Sequence, residues 1–299
     1  MKRKSNYRPI DYLVLIYCIL NILYIFLGII LHGAGSEFLH QPLKHLAIFC
    51  GIILLVVCLE RWEQHKEGRF ISLLRDWYAI TLFLYFFEAT SALNRTIFPE
   101  FIDGFFMRID ALIFGYQPAL EWGLKHDSWF LSELFHFAYF SYYLMGVFYL
   151  FVYLKKRELF LRYAFQLAFV FFVCYLTFNV LPVVGGRNLE GMMKLAETYR
   201  HGPFTHVMAF IYRMSPHKGG AFPSSHVAVA LVVNLSAFHY RKQTGWLLLP
   251  LVTLLTISTV YCHYHYFIDT IFGLLYGLGF YYLSGRIYEN MLKSGRINV

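Results

Sequence analysis

The sequence predicts an all-α fold, a polytopic integral membrane bundle of about eight transmembrane helices, and three observations support this prediction. Of the 299 residues, 58% are hydrophobic and only 15% are charged, a balance that is unusual for a soluble domain. Apolar runs of about 20 residues, long enough to cross a bilayer as helices, recur along the chain. Lysine and arginine concentrate in alternate connections between these runs. We therefore interpret residues 1–299 as a single membrane domain.

The apolar runs predict the individual helices. They lie at residues 12–31, 43–59, 77–93, 130–154, 160–181, 222–240, 246–262 and 266–284. The first run follows a basic flank, but it is too long for the apolar part of a signal peptide and lacks a small-residue cleavage site. We expect it to be retained as the first span.

The distribution of basic residues predicts the orientation. With a cytoplasmic N-terminus, 17 of the 26 lysines and arginines fall in connections on the inner side and nine on the outer side. The net charge of +8 is then explained by topology and by membrane lipids with anionic headgroups. No basic stripe is interleaved with aromatic residues as a nucleic-acid groove requires, so no nucleic-acid partner is expected.

Residues 94–129 break the pattern of long apolar runs. Charged and apolar residues alternate there, and Gly104, Gly115 and Pro118 interrupt the segment. This composition predicts an amphipathic helical segment at the outer interface instead of a further span. We expect it to act as a lid or packing element over the helices, in preference to a catalytic role.

Two short stretches contain the candidate chemical groups, and the charge count places both on the outer face. The first is GGAFPSSH at 219–226, where the glycines permit a tight turn and Ser224 is the expected N-cap of a helix. The amide groups at such a helix start form an anion site, and His226 follows in the first turn.

The second stretch is STVYCHYHYFID at 258–269. His265 and Asp269 are four residues apart, so on a helix they share one face, and Asp269 is expected to accept the ring N–H of His265. The other ring nitrogen would then act as a base or nucleophile. Packing histidines, a structural ion pair and a simple helix cap are the alternatives. The conjunction of these groups on one membrane face favours catalysis, because charge is costly there.

These stretches resemble a known family. PSSH at Pro223–His226, followed by Ser258-Thr259, His265 and Asp269, is similar to the second and third signature motifs of the type 2 phosphatidic acid phosphatase (PAP2) superfamily. The resemblance covers about 182–273, and we take 182–284 as the predicted catalytic core. The amino-acid sequence of these motifs is closest to a bacterial branch that shares motifs with inositolphosphotransferases. The segment from Asp110 to Pro118 resembles an upstream segment of that branch.

The resemblance implies a membrane-embedded lipid phosphatase or phosphotransferase that cleaves a lipid phosphate ester without a metal or other cofactor. It implies that His265 attacks phosphorus to form a phosphohistidine, that Asp269 orients it, and that His226 protonates the leaving oxygen. It also implies that the backbone at Ser224 and Ser225 holds the phosphoryl oxygens.

The basic residues of the family are less well matched. Arg187 is the candidate for the arginine of the first motif, although Val180 stands where its lysine is expected and no proline follows. Thr259 replaces an arginine of the third motif. Lys218 is the predicted replacement among the phosphate-binding residues, with Arg213 and His263 as further candidates.

The missing arginine leaves alternatives open. Its loss also occurs in the transferase-like branch, so an inositol-phosphoryl-type lipid head-group transferase is one alternative to hydrolysis. A catalytically inactive lipid-binding or transport protein on the same scaffold is another.

Overall fold

The structure is a computed structural model that describes residues 7–33, 35–65, 68–189, 202–214 and 217–294. Across these ranges the chain is helical, and its one extended pairing is an isolated bridge between Val183 and Gly220. The prediction of an all-α polytopic bundle is confirmed. Some basic residues of the charge count lie outside the described residues, namely Lys2, Arg3, Lys4, Lys66, Lys194, Arg200 and Arg296.

Twelve α-helices follow one another within the described ranges. They are α1 Pro9–His32, α2 His40–His65, α3 Arg69–Leu93, α4 Asp103–Phe114, α5 Pro118–Lys125, α6 Trp129–Leu144, α7 Gly146–Lys155, α8 Arg157–Val180, α9 Pro203–Met214, α10 Ser225–Tyr240, α11 Lys242–Tyr261 and α12 Phe267–Lys293.

In the part of the chain that the structure describes, seven helical stretches are long and apolar enough to cross a membrane. These are α1, α2, α3, α6 with α7, α8, α11 and α12, as expected of an integral membrane protein. The remaining predicted span, at 222–240, corresponds to α10, which has only 16 residues. At 1.5 Å per residue it is about 24 Å long, whereas the hydrocarbon core is about 30 Å thick.

Helix α8 is the centre of the bundle. It packs against α1, α3, α7, α10 and α12, and large side chains such as Phe165, Phe172 and Phe178 are buried along it. The outer helices instead expose large apolar side chains, for example Ile30 of α1 and Leu84 of α3, each 78% exposed. An apolar surface of this extent is suited to contact with lipid.

The starts of α10 and α12 approach each other closely because α12 contains two glycines at the contact. A Cβ atom at Gly273 would lie 2.6 Å from the Ser224 carbonyl oxygen, and one at Gly277 would lie 2.7 Å from that of Ala228. Glycines four residues apart let two helix backbones meet in this way. The close contact brings PSSH beside the stretch that contains His265 and Asp269.

The 94–129 segment contains two short helices instead of one. α4 ends at Phe114 and is followed by Gly115, whose φ of +74° is left-handed, and α5 begins at Pro118. α4 contacts α12, and α5 contacts α11. The segment therefore lies against the two helices that flank His265.

Candidate active site

The structure brings the two histidines together at one end of the bundle. The ring centroids of His226 and His265 are 5.8 Å apart. The backbone N–H of Ser224 donates to the carbonyl oxygen of Asp269 at 2.9 Å, so the two stretches are bonded directly.

The carbonyl oxygen of Ala221 defines the protonation of His265. His265 is buried, and its Nδ1 lies 2.9 Å from that oxygen. A carbonyl only accepts hydrogen bonds, so Nδ1 must carry the proton. In the neutral ring, Nε2 then keeps its lone pair, as a nucleophile requires.

The expected helical pairing of His265 with Asp269 differs from the observed geometry. α12 begins at Phe267, so His265 lies in the loop before it. The distance from His265 Nδ1 to Asp269 Oδ2 is 3.7 Å, which is longer than a hydrogen bond. The bond that orients the ring comes from Ala221, a backbone group with no sequence signature.

Asp269 stabilises the turn at the start of α12 and faces the imidazole of His265. Its Oδ2 accepts the N–H of Tyr266 at 2.9 Å, and its side chain is fully buried. Its Oδ1 is buried without a hydrogen-bond partner among the described residues. A carboxylate at this distance stabilises positive charge on the ring of His265.

His226 lies between aromatic rings in the first turn of α10. Its ring centroid is 4.7 Å from that of Tyr139 and 4.4 Å from that of Tyr142. Its Nδ1 is buried and has no hydrogen-bond partner in the described part of the chain. Such an orphan nitrogen is costly in a folded protein, and it is available for proton transfer.

The predicted N-cap is confirmed. The Oγ of Ser224 accepts the N–H of Val227 at 3.4 Å, and α10 begins at Ser225. Because the N–H of Ser224 is used by Asp269, the amides that the first turn leaves for an anion begin at Ser225. The Ser225 amide is thus better placed than that of Ser224 to bind a phosphoryl oxygen.

Thr259, at the position of the family arginine, connects α11 to α12. Its hydroxyl lies 2.9 Å from that of Thr270, and its side chain is buried. Its carbonyl oxygen accepts the N–H groups of Tyr264 and His265, each at 3.0 Å. The residue therefore contributes packing and the shape of the His265 turn, and it supplies no positive charge.

Arg187 lies on a layer of tyrosine rings, and no direct contact joins it to His226 or His265 among the described residues. Its guanidinium carbon is 4.3 Å from the ring centroid of Tyr212 and 5.2 Å from that of Tyr264, whose hydroxyl accepts from Nη1 at 3.2 Å. Tyr264 packs on Tyr139, which packs on His226. Arg187 is thus connected to His226 through two tyrosine rings, and it lines a cavity of about 50 Å³ with His136 and His263.

The three predicted replacements for the missing arginine differ in burial. The side chains of Lys218 and Arg213 are exposed, and the Lys218 carbonyl accepts from Asn94 Nδ2 at 2.6 Å. His263 is buried beside Arg187, with its Nδ1 2.7 Å from the Ala119 carbonyl oxygen. Burial lowers the pKa of His263, an effect that the Ala119 carbonyl opposes and the charge of Arg187 reinforces.

Two aspartates of α4 hold the loops of the site, and sequence reasoning missed this role. Asp110 accepts the N–H groups of Phe267 at 2.7 Å and Ile268 at 3.1 Å, which open the first turn of α12. A carboxylate at that position also interacts favourably with the helix dipole. Burial raises the pKa of Asp110, and the two N–H donors oppose that shift.

Asp103 holds the loop that leads to Arg187. It accepts the N–H groups of Val184 and Gly185, each at 3.0 Å, and the hydroxyl of Tyr266 at 2.9 Å. One carboxylate therefore connects the Arg187 loop to the His265 loop. The resemblance of Asp110–Pro118 to a family segment was the one sequence signal for this region, and it did not include Asp103.

The site thus belongs to a membrane protein in which helix ends gather two histidines, an aspartate and a helix start suited to an anion. The chain belongs to the PAP2 superfamily, whose family model matches residues 105–283. The family expected from the motifs is confirmed, whereas the bacterial branch stays a prediction.

The chain is also similar to an individual protein over a short stretch. A PA-phosphatase related-family protein of Dictyostelium discoideum is 41% identical over 69 residues, a match that covers 21% of this chain and 12% of that relative. No solved structure matches the chain at a significant level.

Proposed function

We propose that this protein cleaves a phosphate ester of a membrane lipid by phosphoryl transfer through His265. The observation that carries the proposal is the hydrogen bond from His265 Nδ1 to the Ala221 carbonyl oxygen, which leaves the lone pair on Nε2. The ring of His226 is the neighbouring imidazole, with its centroid 5.8 Å from that of His265. Membership of the PAP2 superfamily supports lipid phosphate esters as the substrate class.

In the first step, the Nε2 lone pair of His265 forms a bond to phosphorus while the bond from phosphorus to the lipid oxygen breaks. Protonated His226 gives its proton to the leaving oxygen. The imidazole of His265 gains positive charge, which Asp269 stabilises. The Ser225 amide, Arg187 and Lys218 are the proposed partners of the phosphoryl oxygens, with the Ser224 hydroxyl beside them.

In the second step, water or an alcohol gives its proton to His226 and attacks phosphorus, and the bond to Nε2 breaks. Water yields free phosphate, and an alcohol yields a new phosphate ester. Transfer to an alcohol is a second candidate function, and Thr259 favours it. The side chain of Thr259 contacts the hydroxyl of Thr270 and supplies no positive charge at the position of the family arginine.

The proposed reaction needs no metal ion. Phosphoryl transfer requires positioning and neutralisation of charge, and the basic side chains and the helix start supply both. Activity is expected to persist in excess EDTA, and its loss with recovery on adding Mg²⁺ would contradict this part of the proposal.

We further propose that the site faces the outside and the N-terminus the cytoplasm, with 94–129 covering the core at 182–284. The contacts of Arg8 with Glu63 and Asp76 support this, because they group the N-terminus with the helix ends opposite the site. A cysteine introduced at Lys218 should react with an impermeant thiol reagent on intact cells, and one at Arg69 should not. The reverse labelling pattern would invert the orientation.

The test is an assay of the purified protein in lipid nanodiscs with short-chain phosphatidate, with and without inositol or ceramide as acceptors. His265→Ala is expected to lower turnover by about 10³-fold or more, because the nucleophile is lost. His65→Ala is the control, since His65 is exposed at the far end of α2. The native protein should also yield an acid-labile phosphate on the peptide that contains His265.

The outcomes separate the candidate functions. Phosphate release without acceptor indicates hydrolysis, and formation of a new ester only with acceptor indicates transfer. Tight binding of the lipid phosphate with no turnover would favour an inactive lipid-binding or transport protein. Full turnover by His265→Ala would refute the phosphohistidine mechanism.

A further inference from the structure

A second polar cavity lies at the end of the bundle opposite His265. It has a volume of about 390 Å³ and lies between α8, α10 and α12. Its polar wall consists of Arg162, Gln166, His239, Arg286 and Glu289.

The short length of α10 accounts for the cavity. α8 and α12 have 24 and 27 residues, against 16 in α10. At 1.5 Å per residue they exceed α10 in length by about 12 and 16 Å. The cavity is lined by the last turns of α10, at Leu235, Phe238 and His239, so it opens where that helix stops.

The wall contains buried polar atoms that are not satisfied. Gln166 is 1% exposed, and its Nε2 donates to the Tyr281 carbonyl oxygen at 2.9 Å. Its Oε1 and the Nε of Arg162 are buried and have no hydrogen-bond partner among the described residues. Buried polar groups normally have a hydrogen-bond partner. One acceptor and one donor are therefore available to a ligand.

Gly285 leaves space beside these two side chains. A Cβ atom at this position would lie 3.1 Å from Gln166 Nε2 and 3.6 Å from Arg162 Nη2. The Arg162 guanidinium also donates to Glu289 at 2.7 Å, and Arg286 is exposed at the mouth. Two arginines against one glutamate give the cavity a net positive charge.

An apolar stripe extends along α12 from the same cavity. Leu275, Leu278 and Tyr282 are 57%, 46% and 57% exposed, and their spacing of three and four residues places them on one helix face. A ligand with a polar head and an acyl chain matches both surfaces, whereas a free phosphate matches only the cavity. Basic pockets between transmembrane helices are also suited to anionic lipid headgroups.

We propose that this cavity binds the headgroup of an anionic phospholipid that carries a free hydroxyl group. The phosphate interacts with Arg162 and Arg286, and the hydroxyl donates to Gln166 Oε1. The acyl chains lie along Leu275, Leu278 and Tyr282. This site is separate from the one that contains His265 and does not depend on the proposed reaction.

The test measures lipid binding in the His265→Ala background, so that turnover does not consume the lipid. Native mass spectrometry and thermal unfolding would compare phosphatidylglycerol with phosphatidylcholine. Phosphatidylglycerol is expected to bind more tightly and to raise the unfolding temperature more. Arg286→Gln should weaken that binding by about tenfold, as the loss of one charge-assisted contact does. The matched control is Arg69→Gln, an exposed arginine at the same end but outside the cavity.

Gly285→Ala is a second variant that changes the shape of the cavity and keeps its charge, and it should also weaken the binding of phosphatidylglycerol. Equal binding of the two lipids, or equal binding by Arg286→Gln and Arg69→Gln, would overturn the proposal. Inorganic phosphate and glycerol phosphate form separate arms. If either binds as tightly as phosphatidylglycerol, the ligand is a soluble phosphate and the lipid assignment is wrong.

Discussion

The site around His265 and the ion-pair network at the opposite end of the helix bundle treat buried polar groups in opposite ways. At the end with His265, the Nδ1 of His226 and the Oδ1 of Asp269 are buried without partners among the described residues. At the other end, three arginines and three acids form a continuous network of ion pairs. Its members are Arg8, Asp11, Glu63, Arg75, Asp76 and Arg157.

The ion-pair network connects four helices, α1, α2, α3 and α8. Arg75 of α3 is fully buried and binds both Asp11 of α1 and Glu63 of α2. Arg157 at the start of α8 donates to both carboxylate oxygens of Asp76, at 2.6 and 2.7 Å. Equal numbers of positive and negative groups leave the network neutral, as burial of charge requires.

The difference indicates a division of labour. The ion-pair network pairs its charges and holds the helices in place, whereas the orphan atoms near His265 lower stability and, in the proposed function, are retained for a substrate. Active sites commonly keep such unfavourable features at a cost in stability. Changes at one end should therefore alter activity, and changes at the other should alter stability.

The largest effect is expected at the site end, from His226→Phe. The phenyl ring keeps the contacts with Tyr139 and Tyr142 but cannot transfer a proton, so turnover should fall by about 10³-fold or more. Removal of the orphan nitrogen should leave the free energy of unfolding unchanged or raise it by about 1 kcal/mol. Lipid phosphate turnover and chemical denaturation would be measured together. A marked loss of stability would show that His226 is a structural residue.

Arg75→Met should give the reverse result. It leaves Asp11 and Glu63 without their shared arginine, and breaking a buried ion pair in this way costs about 3–5 kcal/mol of stability. Turnover per folded molecule should stay within about twofold of the native value, since the network is remote from the site. Arg69→Met, at an exposed position of the same helix, is the control. A large loss of turnover in the folded Arg75→Met protein would contradict the division of roles between the ion-pair network and the His265 site.

Asp110→Asn should affect activity more than stability. An amide keeps the shape, but it has one oxygen for the two N–H groups of Phe267 and Ile268 and no charge for the helix dipole. The start of α12 should shift relative to His265, and kcat should fall by about 10- to 100-fold, since small misplacements have effects of this size. The Michaelis constant should change little. Glu100→Gln, an exposed acid in the same segment, should retain native kinetics.

The helices were predictable from the sequence because their signals are local. Apolar runs mark the spans, and Ser224 is a recognisable cap that the structure confirms. The motif spacing also identified the family. The limit of this reasoning appears at α10, where an apolar run that begins at 222 yields a helix that begins at 225, because residues 219–224 are used in the turn.

The support of the site was not predictable, because it depends on distant contacts. Asp110 and Phe267 are 157 residues apart in the chain, and no periodicity relates them. The Ala221 carbonyl that orients His265 is a backbone group, which any residue type provides. Arg187 was expected near the phosphate, and its stacking on Tyr212 and Tyr264 follows from a tertiary arrangement.

The smallest effect is expected from Gly273→Ala, compared with Gly279→Ala in the same helix. Alanine at an exposed helical glycine stabilises by up to about 1 kcal/mol, and Gly279 has open space around it. At Gly273 the new methyl group would lie 2.6 Å from the Ser224 carbonyl oxygen. The start of α10 must then move away from α12, which separates His226 from His265. We expect turnover to fall by about tenfold in Gly273→Ala and to remain native in Gly279→Ala. Equal turnover of the two variants would show that the close contact of α10 and α12 maintains the bundle without positioning the histidines. Gly273 would then have a stabilising role like that of the ion-pair network.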